Sequence, residues 1–272
     1  MQEVWVVRAG VVPYTVAREA QGAIEQARHA GDVPDVLLLL EHPPVYTRGR
    51  RSLPEELPMG EEWYRTQGIE VCETNRGGRV TYHGPGQLVG YPIIGLREYD
   101  DGVHGFVRRL EQVMSGALSE RGIETQVFDG LTGVWTAGAP PISVGTIGPQ
   151  GSPVRSRSGA SQGPGDAALA RKIGAIGVHV RRAITTHGFA INVSNDLRPF
   201  EWIVPCGIEA CRATSVTLER GAEESVDRFG QAVAVEYATA FERQPAFMSP
   251  QDLGLPTEIL EQLVPAPVSS GQ

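Results

Sequence analysis

Three places in this chain hold residue types and spacings that could do chemistry. Arg76 to Tyr91 reads Arg-Gly-Gly-Arg-Val-Thr-Tyr-His-Gly-Pro-Gly-Gln-Leu-Val-Gly-Tyr, with glycine at 77, 78, 84, 86 and 90. Glycine allows positive φ and leaves no Cβ between the backbone and a ligand, while Pro85 stiffens the turn. Glycine and proline alone predict a hairpin between Val80-Thr81 and Leu88 to Ile94. The dense polar set Arg76, Arg79, Thr81, Tyr82, His83 and Gln87, held between two apolar runs, points further, to a binding turn on a rigid scaffold. The second place is Lys172, which opens the apolar run Lys172 to Arg182. A lysine there is ordinarily a snorkelling surface residue, but the small residues after it leave a groove. The third is Cys206, between a rigid proline and a permissive glycine in Pro205-Cys206-Gly207, where a thiol can be approached closely. Isolated cysteines are usually buried and structural. Cys72 reads as an inert strand cysteine, and Cys211 as a rival nucleophile. With no further cysteine nearby and no paired histidine spacing, Cys206 and Cys211 do not make a structural zinc site.

These residues need elements to hold them. Val4 to Val7 and the continuous apolar run Val36 to Leu40 predict strands, the second ended by Pro43-Pro44. Tyr14 to His29 has helical spacing and Pro13 just before it. Val103 to Arg121 is the clearest helix, its stripe of Phe106, Leu110, Val113 and Met114 a core face, with Gly122 stopping it. Ile69 to Thr74, Ile123 to Phe128, Gly133 to Trp135, Lys172 to Arg182 and Thr185 to Val193 add strands, and Ser225 to Glu242 a helix. Helix-connected and hairpin-connected strands mix, so the fold class is α/β (α+β) with a mixed sheet. Residues 1–245 read as one catalytic domain, interrupted by a Gly/Pro/Ser-rich loop at about 136–168, with 246–272 as a tail.

Composition bounds the rest. A 272-residue chain that is 41% hydrophobic buries a core easily. No apolar run approaches the ~20 residues that span a bilayer, and the N-terminus lacks a basic region followed by an apolar core, so a soluble, cytoplasmic protein is expected. Three cysteines do not make a disulfide framework, and a net charge of -8 argues against nucleic acid as the main partner.

The Arg76 to Gln87 stretch, with Tyr91, resembles the signature of the octanoyltransferases of lipoate biosynthesis, the lipoyl(octanoyl) transferases, and meets every fixed position of it. Upstream, Glu41-His42-Pro43-Pro44 followed by Gly49-Arg50 is similar to a run that the family carries in the same order. Lys172 and Cys206, 34 residues apart, match the interval between the family's lysine and cysteine. Ala170 and Val204 depart from its usual flanking residues, and the 136–168 insertion departs from its short turn. The resemblance covers roughly Val4 to Phe241. It implies the fold of the biotin and lipoate protein ligase catalytic domains, and transfer of an octanoyl group from octanoyl-acyl carrier protein to a lysine of lipoyl domains in 2-oxoacid dehydrogenase complexes and the glycine cleavage H protein.

It further implies Cys206 and Lys172 as catalytic residues. An enzyme thiolate takes the chain as a thioester; a nearby ammonium favours the thiolate, and the same lysine once neutral takes the proton of the incoming amine. The implied substrate-binding residues are Arg76, Gly77, Gly78, Arg79, Val80, Thr81, Tyr82 and His83; Ala175, Ile176 and Gly177; and Gly188, Phe189 and Ala190. No cofactor and no metal are implied. Arg48, Arg50, Arg51, Arg79, Arg181 and Arg182 are candidates for docking an acidic carrier. Two other readings stay open: an ATP-dependent lipoate or biotin ligase on the same fold, and an inert module that binds the carrier or the lipoyl domain.

Overall fold

The computed structural model describes residues 2–99, 102–140, 169–204 and 211–263. The strands are β1 (Glu3–Val11), β2 (Asp35–Glu41), β3 (Val45–Arg48), β4 (Glu70–Glu73), β5 (Thr81–His83), β6 (Gln87–Ile93), β7 (Thr125–Phe128), β8 (Leu131–Thr136), β9 (Lys172–Arg181), β10 (Ile184–Asn192) and β11 (Gln244–Met248). The helices are α1 (Tyr14–Ala30), α2 (Glu61–Thr66), α3 (Gly102–Ser119), α4 (Val216–Arg220), α5 (Val226–Ala240) and α6 (Thr257–Leu263). One eight-stranded sheet runs β11-β1-β2-β6-β10-β9-β8-β7, and a three-stranded sheet runs β4-β3-β5. Parallel pairs (β1 with β2 and with β11) and antiparallel pairs share the large sheet, as the mixed class requires.

Two apolar layers cover this sheet. On one face α3 and α5 bring Phe106, Leu110, Val113, Phe229 and Val233 onto Leu37, Leu39 and Ile191. On the other, α1 and α6 bring Val16, Ala20, Ile24 and Leu263 onto Leu38, Leu40 and Val89. Strand β2 lies between both layers, which is why it reads as unbroken Val and Leu rather than alternating. Helix α1 ends at Gly31, whose φ of 86° suits only a residue without Cβ. Helix α5 starts where the Ser225 hydroxyl accepts from Arg228 N–H.

The structure corrects two expectations. Thr81–His83 and Gln87–Ile93 do not form a hairpin: β5 pairs with β3 in the small sheet, while β6 lies between β2 and β10. The turn between them is tied sideways instead. Gly86 N–H donates to the Glu41 carboxylate, and Gly86 O accepts from Val193 and Ser194 N–H. Gly86 has φ of 88°, and a Cβ there would meet Asn195 N at 2.6 Å. Residues 246–263 are not a tail either. β11 extends the sheet beside β1, and Leu253, Leu255 and Leu263 pack into the α1 layer. Pro245 is tolerated because β11 is an edge strand, where a missing N–H costs no ladder bond. Most of the Gly/Pro/Ser-rich stretch, 141–168, lies outside the described residues, as do 264–272. Among the described residues no helix is long and apolar enough to cross a membrane.

Candidate active site

Lys172 is fixed at the start of β9 by three neighbours. Its N–H donates to Arg212 O at 2.8 Å and its carbonyl accepts from Thr214 N–H at 2.9 Å, so residues 212–214 are zipped alongside it. Across the ladder it faces Trp135 of β8, and its Nζ stands 5.1 Å from the centre of that indole. Gly133, two residues before Trp135, has φ of 114°, and a Cβ there would strike Gly174 O and meet Lys172 Cε at 3.0 Å. Buried Glu111 of α3 accepts from Gly133 N–H at 3.0 Å and holds this bare stretch of β8 in position. The lysine borders a small pocket of ≈ 30 Å³ whose walls include Thr81, Ala175, Ala190, Phe200 and Cys211. Cys211 therefore shares the pocket of Lys172. Cys206 lies outside the described residues, in 205–210.

The signature turn is pinned over β9 rather than left open. Gly77 N–H donates to Val178 O at 2.9 Å, and a Cβ on Gly177 would meet Gly77 O at the same separation, so this approach needs a glycine. Arg76, almost fully buried, donates to Thr47 O and Oγ1 and to Gly77 O. Arg79 pairs with buried Glu56 at 2.7 Å, and the other oxygen of that carboxylate accepts from Val80 N–H. Both signature arginines thus brace the turn.

The polar side chains of the signature form one chain of hydrogen bonds. Asn192 Nδ2 donates to Thr214 O, and Asn192 Oδ1 accepts from Gln87 Nε2 at 2.9 Å. With its nitrogen so used, Gln87 offers Oε1 to His83 Nδ1–H at 2.6 Å. This links His83 to the segment that lies beside Lys172. His83 belongs to a buried ring cluster with Tyr14, His42, Tyr91 and His187. His42 donates from Nδ1 to Val12 O, and its Nε2 accepts from Tyr91 O–H at 2.7 Å, which fixes the tautomer. His187 holds φ of 55° inside β10, its N–H donating to Gln21 Oε1 and its Nε2 bonding to Asn75 Oδ1. Burial lowers His42 to about 4, and lowers His83 and His187 to about 3. All three are neutral near pH 7.

The predicted binding residues divide by face. Thr81, Ala175 and Ala190 line the lysine pocket. Val80 and Tyr82 turn into the core of the small sheet. Ile176 and Phe189, cross-strand partners, face the α3/α5 layer, where Phe189 is buried and Ile176 packs partly buried against it. A Cβ on Gly188 would strike Gly90 O, so this glycine serves the packing of β10 on β6. Trp135, Gly133, Glu111 and Asn192 were not among the predicted residues. The sequence marks Gly133 to Trp135 only as a strand, since neither glycine nor tryptophan announces a lysine across the ladder.

The lipoyl protein ligase A/B catalytic domain family matches residues 13–238 of this chain. An octanoyltransferase of Mycolicibacterium smegmatis is 43% identical over 235 residues, covering 86% of this chain and 88% of that protein. An octanoyltransferase of Acidobacterium capsulatum is 39% identical over 254 residues, covering 90% of this chain and 93% of that protein. Among solved structures, the bipartite lipoate protein ligase of Thermoplasma acidophilum superposes with a TM-score of 0.63 at 14% identity, covering 97% of this chain and 91% of that one. Lipoate-protein ligase A bound with ATP gives 0.60 at 14% identity, over 97% and 92% of the two chains. These two share the fold with it.

Proposed function

This chain belongs to the lipoyl protein ligase A/B catalytic domain family, among the octanoyltransferases, and from that premise we propose how it works and on what. It is an acyltransferase that moves an octanoyl group in protein lipoylation. The donor is octanoyl-acyl carrier protein, and the acceptors are lysines of lipoyl domains in 2-oxoacid dehydrogenase complexes and the glycine cleavage H protein. Cys206 thiolate, favoured by the Lys172 ammonium, attacks the donor thioester carbonyl. The carrier thiolate leaves and takes a proton from Lys172. The acceptor amine then attacks the Cys206 thioester, gives its proton to the now neutral Lys172, and Cys206 thiolate is expelled. Both half-reactions balance with no ATP.

One observation carries this reading. Of the 24 lysine and arginine residues in the chain, Lys172 is the one lysine. Arginine supplies charge at every other basic position but cannot give up its proton in a protein, whereas lysine can. The position bordering the small pocket is thus the one site among these lysines and arginines able to run a proton cycle. Cys206 is five residues from Cys211, which borders the same pocket.

A pocket of ≈ 30 Å³ holds about one water. The acyl chain therefore enters by making room between the signature turn, Arg76 to His83, and the strand face that carries Ala175, Gly177 and Ala190. For docking, Arg48, Arg79 and Arg181 are already paired with carboxylates. Arg50 and Arg51 are exposed, with backbone N–H groups bonded to Arg76 O and Gly78 O, so they ride on the turn itself. An acidic carrier that engaged them would bear on the entrance. The test is octanoyl transfer from carrier protein to a lipoyl domain without nucleotide. Transfer at full rate supports the reading, and an absolute requirement for ATP replaces it with a ligase.

A further inference from the structure

We propose that Trp135, with the opening left by Gly133, is the positioning residue that holds the Lys172 ammonium in its working place; the inference rests on the role given to Lys172 above. Three independent features converge on one side chain. The indole is fully buried and fixed, its Nε1–H bonded to Leu131 O at 3.3 Å, so its face is a rigid platform. The Lys172 Nζ stands 5.1 Å from the ring centre, within the range where an ammonium is drawn to an aromatic face. The stem of the lysine reaches that place over Gly133, where any Cβ would come within 3.0 Å of Cε. Glu111 keeps the strand at that point from sliding, through its bond to Gly133 N–H.

The physical consequence is preorganisation. A lysine side chain has several rotatable bonds, and holding it in one geometry during each turnover is entropically costly. The platform and the channel meet that cost during folding. Tryptophan is the strongest aromatic partner for a cation, phenylalanine a weaker one, and leucine offers apolar bulk without the electrostatic attraction. In this proposal the indole acts through Lys172. Its effect must therefore vanish when the ammonium is gone, which a purely structural tryptophan does not do.

A double-mutant cycle tests this. Single-turnover acylation and subsequent transfer to lipoyl domain are measured by intact mass for the wild type, Trp135→Phe, Trp135→Leu, Lys172→Met, and both Trp135 variants combined with Lys172→Met. With Lys172 present, Trp135→Leu is expected to slow acylation about tenfold and Trp135→Phe about threefold. In the Lys172→Met background, either change alters the residual rate by less than about twofold. Trp135→Phe retains the ring and the packing, so it reports even if the leucine variant is poorly folded. Equal losses in both backgrounds, or none in either, overturn the proposal. Wild-type rates in Lys172→Met would retire the assigned role of the lysine itself, and this inference with it.

Discussion

Two cavities open onto β9 and β10, and they are built in opposite ways. The pocket at Lys172 is walled mainly by small and apolar residues, with Gln87 and Asn192 as its neutral polar groups, and encloses ≈ 30 Å³. At the other end of the strands, against α1, a cleft of ≈ 420 Å³ is walled by charged and polar side chains. The charges of that cleft are already answered. Arg181 pairs with Glu25 at 2.8 Å, and Arg18 donates to Glu73 O at 3.2 Å. The ring cluster joins the two, since His187 lines the cleft while His83 is bonded to Gln87 on the pocket wall. On the reading proposed above, size does not mark the reactive end. Proton and acyl transfer gain most where water is scarce and each charge acts at short range, and the small pocket supplies that.

The sharpest way to break this contrast is to change one cation at each end. Lys172→Arg keeps a positive charge but cannot cycle a proton. Acyl adduct formation should fall by no more than about tenfold, while transfer to the acceptor amine falls about 10²- to 10⁴-fold, measured as separate half-reactions. Arg181→Ala, at the cleft, should change either rate by less than about twofold, since it removes an exposed arginine far from the lysine pocket and touches no pocket wall. Comparable losses at both ends would erase the distinction.

The cluster between the cavities makes a pH prediction. His42, His83 and His187 are held below their unfolded value of about 6.5 by burial, at about 4, 3 and 3. The unfolded chain therefore binds more protons than the folded one across that window, and stability is full above pH ~6.5 and lost progressively as pH falls to ~3. Denaturant unfolding at pH 7.5 and 4.5 should differ by on the order of 8 kcal/mol, roughly 2.6 kcal/mol from each ring. A flat profile would mean that the three rings are charged in the fold.

How much of this was written in the sequence depends on scale. The helical stripes of α1, α3 and α5 and the apolar run of β2 are single-element patterns, and each appeared within a few residues of its expected place. Sheet assignment is not local, so Thr81 and Gln87, six residues apart in sequence, fell in different sheets. Which face a side chain takes is equally non-local. Ile176 and Phe189 look like groove residues beside Gly177 and Gly188, but the period of two turns Phe189 into the α3/α5 core and Ile176 toward it. The platform under Lys172 was invisible because it depends on the pairing of β8 with β9 across a long insertion.

Gly188 sharpens the same point about faces. A Cβ there would lie within 2.5 Å of Pro92 Cδ and still nearer Gly90 O, so Gly188→Val should cost about 1–3 kcal/mol in thermal or denaturant unfolding. If stability is unchanged and only long-chain donors are turned over more slowly, Gly188 is groove and not packing. The smallest expected effect is electrostatic. Changing Arg50 and Arg51 together to alanine should raise KM for the carrier-bound donor about two- to fivefold, leaving a small octanoyl thioester unaffected. An equal rise for both donors would take docking out of the account.

The central claim is that the acyl group rests on Cys206 while Lys172 moves protons beside it. Intact-mass measurement after incubation with octanoyl-carrier protein, with neither ATP nor acceptor, tests it directly. The account predicts one thiol-labile octanoyl increment on the wild type, on Cys72→Ala and on Cys211→Ala, and none on Cys206→Ala. An octanoyl group that persists on Cys206→Ala, or a Cys211→Ala variant that takes up none, would contradict it.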